Sequence, residues 1–114
     1  MPVNPNLAVL LKSDQFGDGE PDLGAKLIAS FLNVLLESDE IPSRILCLNS
    51  GIFLATDGSP VRDLLRSLER HGAEILSCTT CLEYYGRTEK LIVGRPTNMK
   101  TIVATLQQFK TITA

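Results

Sequence analysis

The chain has 114 residues, of which 44% are hydrophobic and 21% charged, and its formal net charge is -2 at pH 7. This composition predicts one globular domain over residues 1–114. The net negative charge indicates that the protein lacks the basic surface that nucleic-acid binding requires. Its apolar runs are far shorter than the roughly 20 residues of a membrane span. The N-terminus MPVNPN does not resemble a signal peptide, and three cysteines without an export signal favour free thiols in the cytoplasm.

Two apolar patterns alternate along the chain. Continuous apolar runs are typical of strands covered on both faces, and we expect them at 7–11, 45–48, 73–77 and 91–93. Helical spacing predicts helices from Pro21 to about Ser38, from Ser59-Pro60 to a stop at Gly72, and a last one capped by Thr97. Residues 1–6 are expected to be a frayed end, 52–55 a short strand extension, and 110–114 a loose tail or edge strand.

This alternation predicts a three-layer α/β domain with a parallel sheet of four or five strands flanked by helices. We expect the flavodoxin-like order 2-1-3-4-5, in which the first strand is central and lies beside the second and third. Functional sites in such sheets gather beyond the carboxyl ends of the strands. The loops expected there are 13–22, 49–58 and 78–86.

The segment AEILSCTTCLEYYG, residues 73–86, combines a buried strand, two thiols spaced CxxC and a short helix. A thiol at the start of a helix lies near outward-pointing N–H groups, which are expected to lower its pKa. The spacing places Cys78 and Cys81 on one face of the turn. Cys78 is nearest the helix start, so we expect its sulfur to accept a first-turn N–H hydrogen bond and to be the nucleophile.

Four kinds of site compete for this pair. A thioredoxin-like dithiol normally follows an early strand, whereas this one follows the third. A zinc site needs four ligands, but Cys47 is expected in the core of a strand and His71 at a solvated helix end. A flavin or nucleotide pocket would need a phosphate cradle in the first loop, which is instead acidic. A sulfur carrier needs only a nucleophilic, reachable thiol, so no metal and no cofactor is expected.

The runs ILSCTTCLEYYG and EKLIVGRPTNMKTIVATL resemble the C-terminal domain of YedF-type proteins. These are sulfurtransferase-like proteins linked to selenium metabolism, within the DsrE/DsrF-like family. The stretches GEPDLGAKLIASFLNVLLES, ILCLNSG and DGSPVRDLLRSLERHGAEILSC extend the resemblance over about residues 7–106. It implies a DsrE-like fold, homo-oligomers that are often trimers or hexamers, and a persulfide carried on the cysteine after the third strand, by position Cys78.

Two departures from the family shape the expected partners. The family usually has glycine at the position of Thr79, and many members carry an N-terminal TusA-like domain that these 114 residues do not contain. Two alternatives follow: a separate TusA-like protein supplies that function, or this chain has lost the relay. In the first case a TusA-like sulfur carrier or a cysteine desulfurase is the expected partner.

Further residues near the thiols are candidates for the same site. Cys81 is either a resolving thiol or a core residue. The candidate pocket residues are Asn49, Ser50, Tyr84, Tyr85 and Arg87. The alternative to a sulfur carrier is a non-catalytic oligomeric binding module with structural cysteines. The sequence is compatible with both an enzyme and a binding module.

Overall fold

The computed structural model describes residues 2–114. Its strands are β1 (Val3–Leu11), β2 (Ile41–Cys47), β3 (Glu74–Cys78), β4 (Arg95–Thr97) and β5 (Lys110–Thr113). Its α-helices are α1 (Pro21–Glu37), α2 (Arg62–Arg70), α3 (Thr79–Tyr84) and α4 (Met99–Gln108), and two 3₁₀ helices span Asn49–Leu54 and Thr88–Lys90. Across these 113 described positions, 2–114, none of the helices has the length and apolar character needed to cross a membrane.

All five strands are parallel and lie in the order β4-β3-β2-β1-β5. The predicted three-layer parallel α/β fold is therefore confirmed, but the flavodoxin-like order is wrong. The central strand is β2, and β1 pairs with β2 and β5 rather than with β3. Because α1 and α2 pack against each other, the first two right-handed crossovers move the chain in one direction across the sheet. Only the connection through α4 returns to the far side of β1.

The two faces of the sheet are covered unequally. Ile28 and Leu32 of α1 share one core cluster with Leu65 and Leu68 of α2 and with inward-facing residues of β1, β2 and β3. On the other face, Ile102 of α4 packs on Leu46, Leu76 and Cys78. One face thus carries α1 and α2, and the other carries α4.

Two predicted strand boundaries are wrong. Residues 3–6 belong to β1 rather than to a frayed end, since Val3 pairs with Ile41, while Met1 lies outside the described residues. The run 91–93 is not a strand, because the N–H groups of Ile92 and Val93 both donate to the carbonyl of Ala55. Leu91 forms only an isolated antiparallel bridge to Thr56, and the fourth strand begins later, at Arg95.

Two helices begin at residues other than those predicted, and local hydrogen bonds explain the difference. The hydroxyl of Ser59 accepts the N–H of Val61 at 3.1 Å, and α2 begins one residue after that. Asn98, not Thr97, caps α4, with its Oδ1 accepting the N–H of Thr101 at 2.9 Å. Residues 52–55, expected as a strand extension, lie largely in the first 3₁₀ helix.

Candidate functional site

The carboxyl ends of β1, β2 and β3 meet at one edge of the sheet. The register aligns Leu11 with Cys47 and Cys47 with Ser77. The chain leaves β2 into the 3₁₀ helix at Asn49 and leaves β3 directly into α3. This geometry brings the loop after β2 beside the helix that carries the CxxC segment, and α3 contacts the 3₁₀ helix.

Cys78 is buried, with 4% of its surface exposed. It is the N-cap residue of α3, but within the described chain no first-turn N–H donates to its side chain. The expected hydrogen bond is therefore wrong. Side chains alternate along a strand, so Cys78 at the end of β3 takes the same face as Leu76. Its sulfur consequently lies in the cluster beneath α4 instead of over the N–H groups of α3.

Cys81 is the more accessible of the two thiols. It is only partly buried, and its sulfur accepts the backbone N–H of Asn49 at 3.1 Å. It opens into a pocket of about 400 Å³ that is lined by Asn49, Thr80, Cys81, Tyr84 and Tyr85. Cys81 therefore lines this pocket, whereas Cys78 is buried in the core.

Asn49 holds the loop and the helix together. Its φ is +52°, in the left-handed region. Its Oδ1 accepts the hydroxyl of Tyr85 at 3.0 Å and the N–H of Ser50 at 2.9 Å. The Tyr85 ring in turn packs on Phe53, with 4.7 Å between ring centroids, and edge-on to Tyr84 at 5.2 Å.

Of the predicted pocket residues, the structure brings Asn49, Tyr84 and Tyr85 to the pocket that Cys81 lines, and it places Ser50 and Arg87 elsewhere. The hydroxyl of Ser50 accepts the N–H of Asp14 at 3.3 Å. Arg87 lines a different pocket, where its guanidinium stacks over Phe53 at 4.9 Å and donates to the carbonyl of Asp57.

The sequence reasoning missed Thr80 as a pocket residue. Its position between the two cysteines, on the outer side of a short helix, could have indicated that it lines the pocket. The structure exposes Thr80 and places it in the pocket lining next to Cys81.

The electrostatics of Cys81 differ from the expectation for a helix-start thiol. Burial raises the pKa of Cys81, and the adjacent Cys78 thiol raises it further, while the Asn49 N–H lowers it. At Cys81 the backbone N–H donors do not offset the lost solvation and the neighbouring thiol. The lowered pKa is expected of the thiol at the helix start rather than of Cys81. At neutral pH the pocket therefore holds a thiol, and the thiolate forms as the pH rises.

Cys47 and His71 lie away from this pocket. Cys47 is buried in the core cluster beneath α1 and α2, and burial raises its pKa to about 12. His71 is the C-cap of α2, with Nδ1 2.7 Å from the carbonyl oxygen of Ser67. Among residues 2–114, no group of three or more His, Cys, Asp or Glu side chains is arranged to hold a metal ion.

We expect Cys47 to make the protein less stable in alkali. Its pKa is about 12 when folded, against an ordinary value of 9.0, so its stabilising effect is complete below pH 9 and is lost as the pH rises toward 12. Urea unfolding at pH 8 and pH 10.5 should show a steeper loss of stability for the wild type than for Cys47→Ala. Parallel losses in the two proteins would contradict this assignment.

Comparison with known proteins places the fold. No protein-family model matches the chain, and no curated protein matches it in sequence. The YchN protein from E. coli has a similar structure, with a TM-score of 0.66 and 13% identity over 97% of this chain and 100% of that one. MTH1491, a protein of unknown function from Methanobacterium thermoautotrophicum, aligns over the same shares with a TM-score of 0.66 and 15% identity. Both have the DsrE-like fold, so this chain has a DsrE-like fold.

Proposed function

We propose that the protein is a sulfane-sulfur carrier in which Cys81 accepts the sulfur and Cys78 resolves it. The observation that carries the proposal is the pairing of one reachable thiol in a pocket with a second thiol buried beside it. The DsrE-like fold and the sequence resemblance to YedF-type proteins support the same chemistry. The resemblance alone favours Cys78 as the acceptor, whereas the exposure of the two sulfurs favours Cys81.

The first step needs a donor persulfide, R–S–SH. The Cys81 sulfur attacks the terminal sulfur of the donor, a new Sγ–S bond forms, and the bond between R–S and that sulfur breaks. The donor leaves as the thiol R–SH and takes the proton that Cys81 gives up. The products are R–SH and the persulfide of Cys81, with no net oxidation.

The second step has two outcomes. An acceptor thiol can take the terminal sulfur from Cys81 by the same exchange. Otherwise the Cys78 thiol attacks the Cys81 sulfur, a Cys78–Cys81 disulfide forms, and the terminal sulfur leaves as hydrogen sulfide. In the second case the cysteine pair is oxidised and the transferred sulfur is reduced, so the electrons balance.

The partner side of the proposal rests on the family resemblance. A TusA-like carrier or a cysteine desulfurase would present its own persulfide to the Cys81 pocket, in the cytoplasm where thiols stay reduced. A link to selenium metabolism belongs to the same resemblance, and a selenopersulfide, R–S–SeH, would transfer its terminal selenium by the same exchange.

The function is tested by loading the purified, reduced protein with inorganic polysulfide at pH 9. We expect the intact mass to rise by about 32 Da per sulfur atom, and dithiothreitol to reverse the gain. Protein whose thiols have first been blocked with iodoacetamide is the control and should gain nothing. A wild-type protein that gains no mass at pH 9 would contradict the carrier role.

The second candidate is a non-catalytic oligomeric binding module. Its specific support is an apolar stripe on α4, where Met99, Val103 and Leu106 are exposed and recur at helical spacing. The 4% exposure of Cys78 also suits a structural cysteine. Absence of sulfur loading together with a stable oligomer would favour this function over the carrier.

We expect the protein to form a homo-oligomer, a trimer or a hexamer as the resemblance implies. Light scattering should then return three or six times the chain mass of 12.4 kDa. Val103→Glu places a charge in the exposed α4 stripe and should lower that mass. Gln108→Glu, an exposed position about half a turn around α4 from Met99, should not. A mass near 12.4 kDa for the wild type at micromolar concentration would contradict the assembly.

A further inference from the structure

We infer that Asn49 and Tyr85 are positioning residues, which form a clamp that holds the backbone N–H of Asn49 on the sulfur of Cys81. The inference rests on the proposed role of Cys81 as the sulfur acceptor. It assigns Asn49 and Tyr85 a task that neither the fold nor the cysteine motif gives them. The three contacts involved are Asn49 N–H to Cys81 Sγ, Tyr85 O–H to Asn49 Oδ1, and Ser50 N–H to the same Oδ1.

The backbone of Asn49 is the first argument. Among residues 2–114, Asn49 alone combines a positive φ with a side chain. A left-handed conformation is strained for an L-residue, although asparagine tolerates it better than most residues. Such a conformation persists where the surroundings hold it, and residues of this kind cluster at functional sites. Here the dihedral angle sets the peptide plane whose N–H meets the sulfur.

The anchoring of Tyr85 is the second argument. Its ring is held between Phe53 and Tyr84, and its backbone N–H donates to the carbonyl of Cys81 at 3.1 Å. Its hydroxyl is therefore a fixed donor at the C-cap of the short helix that carries the Cys81 sulfur. The clamp joins this helix and the loop after β2 at two points, so the N–H and the sulfur keep their distance as one unit.

The chemical consequence follows from the direction of the hydrogen bond. An N–H donor stabilises a thiolate more than a thiol, so it favours the reactive form against the burial that opposes it. Loss of the clamp leaves the sulfur less ionised at any given pH. Because sulfur exchange proceeds through the thiolate, a protein without the clamp reacts more slowly at neutral pH and recovers in alkali.

The test measures how fast iodoacetamide alkylates Cys81 between pH 6 and pH 11, with the modified residue identified by peptide mass mapping. Tyr85→Phe keeps the ring and removes the hydroxyl. We expect its pH profile to move to higher pH and its rate at pH 8 to fall about three- to tenfold, the worth of one modest hydrogen bond. Asn49→Gly keeps the left-handed backbone and loses Oδ1, so a similar shift is expected, whereas Asn49→Ala loses both and should shift further.

The matched control is Thr79→Val, which removes a hydroxyl on the same helix. That hydroxyl donates to the carbonyl of Thr97 at 2.8 Å and does not touch the clamp. We expect Thr79→Val to keep the wild-type profile. The profile also separates positioning from general loosening of the helix, because a loosened helix exposes the sulfur and speeds alkylation at every pH.

The outcomes are distinguishable from those of the proposed function. If Tyr85→Phe retains the wild-type profile and melting temperature, the clamp is refuted, whatever happens to sulfur loading. If the profile moves as expected but inorganic polysulfide loads neither the wild type nor the variants, the clamp stands and the carrier function fails. If Asn49→Ala does not fold, Tyr85→Phe and Asn49→Gly still decide the matter.

Discussion

Replacing Cys81 with serine should abolish the gain of about 32 Da that inorganic polysulfide produces, because it removes the sulfur that faces the pocket. Cys78→Ser should keep the gain and prolong it, since the thiol that would release hydrogen sulfide is gone. The wild type should lie between them, gaining sulfur and then losing it as about 2 Da disappear with disulfide formation. Intact-mass spectrometry over a time course after loading distinguishes these three patterns.

Cys47→Ala is the control for this pair of substitutions. Cys47 is buried in the core and its pKa is raised to about 12, so its removal should leave loading unchanged. The reverse result, with loading lost in Cys78→Ser and retained in Cys81→Ser, would restore the assignment that the sequence resemblance favours. If all three variants gain sulfur equally, no single cysteine is required for loading, and the carrier role is contradicted.

Gly94→Ala should destabilise the protein by at least about 3 kcal/mol, which lowers the melting temperature by more than about 10 °C. Two effects combine at this position. Gly94 has a φ of +74°, a conformation that strains any L-residue, and an added Cβ would overlap the carbonyl group of Ile75. Neither a backbone carbonyl in the middle of β3 nor the turn into β4 can move without breaking the pairing of these strands.

Two other glycines separate the effects. Gly58 has a φ of +90° with open space around it, so Gly58→Ala should cost only about 1 kcal/mol of backbone strain. Gly19 has neither a positive φ nor a close neighbour, and Gly19→Ala should be neutral within about 0.5 kcal/mol. Urea unfolding followed by circular dichroism measures the series. If Gly94→Ala and Gly58→Ala lower the free energy of unfolding equally, the structure has relaxed to remove the overlap with Ile75.

Local signals carried most of the element prediction. The Pro21 start of α1 and the Gly72 stop after α2 rest on backbone chemistry that acts within a few residues, and both lie where expected. The strand order was wrong because right-handed crossovers are compatible with either direction of travel across a sheet. Which direction the chain takes depends on α1 packing against α2, a long-range contact that no local pattern encodes.

Local signals also predicted part of the site. The position of the two thiols after β3 follows from the apolar run and the helix start. The burial of Cys78 was also readable, since it shares its strand face with Leu76. The Asn49 N–H on the Cys81 sulfur was not, because it depends on the register of β2 with β3 and on a left-handed residue 32 positions earlier in the chain.

The two outer strands of the sheet have a consequence for aggregation. An exposed strand edge can template pairing with another chain, and natural proteins block this with short strands, proline and lysine. The outer strand β4 has three residues with Pro96 at its centre, where no N–H is available to an incoming strand, and the other outer strand, β5, has four residues and begins at Lys110. Fibril-like growth through either edge is therefore disfavoured.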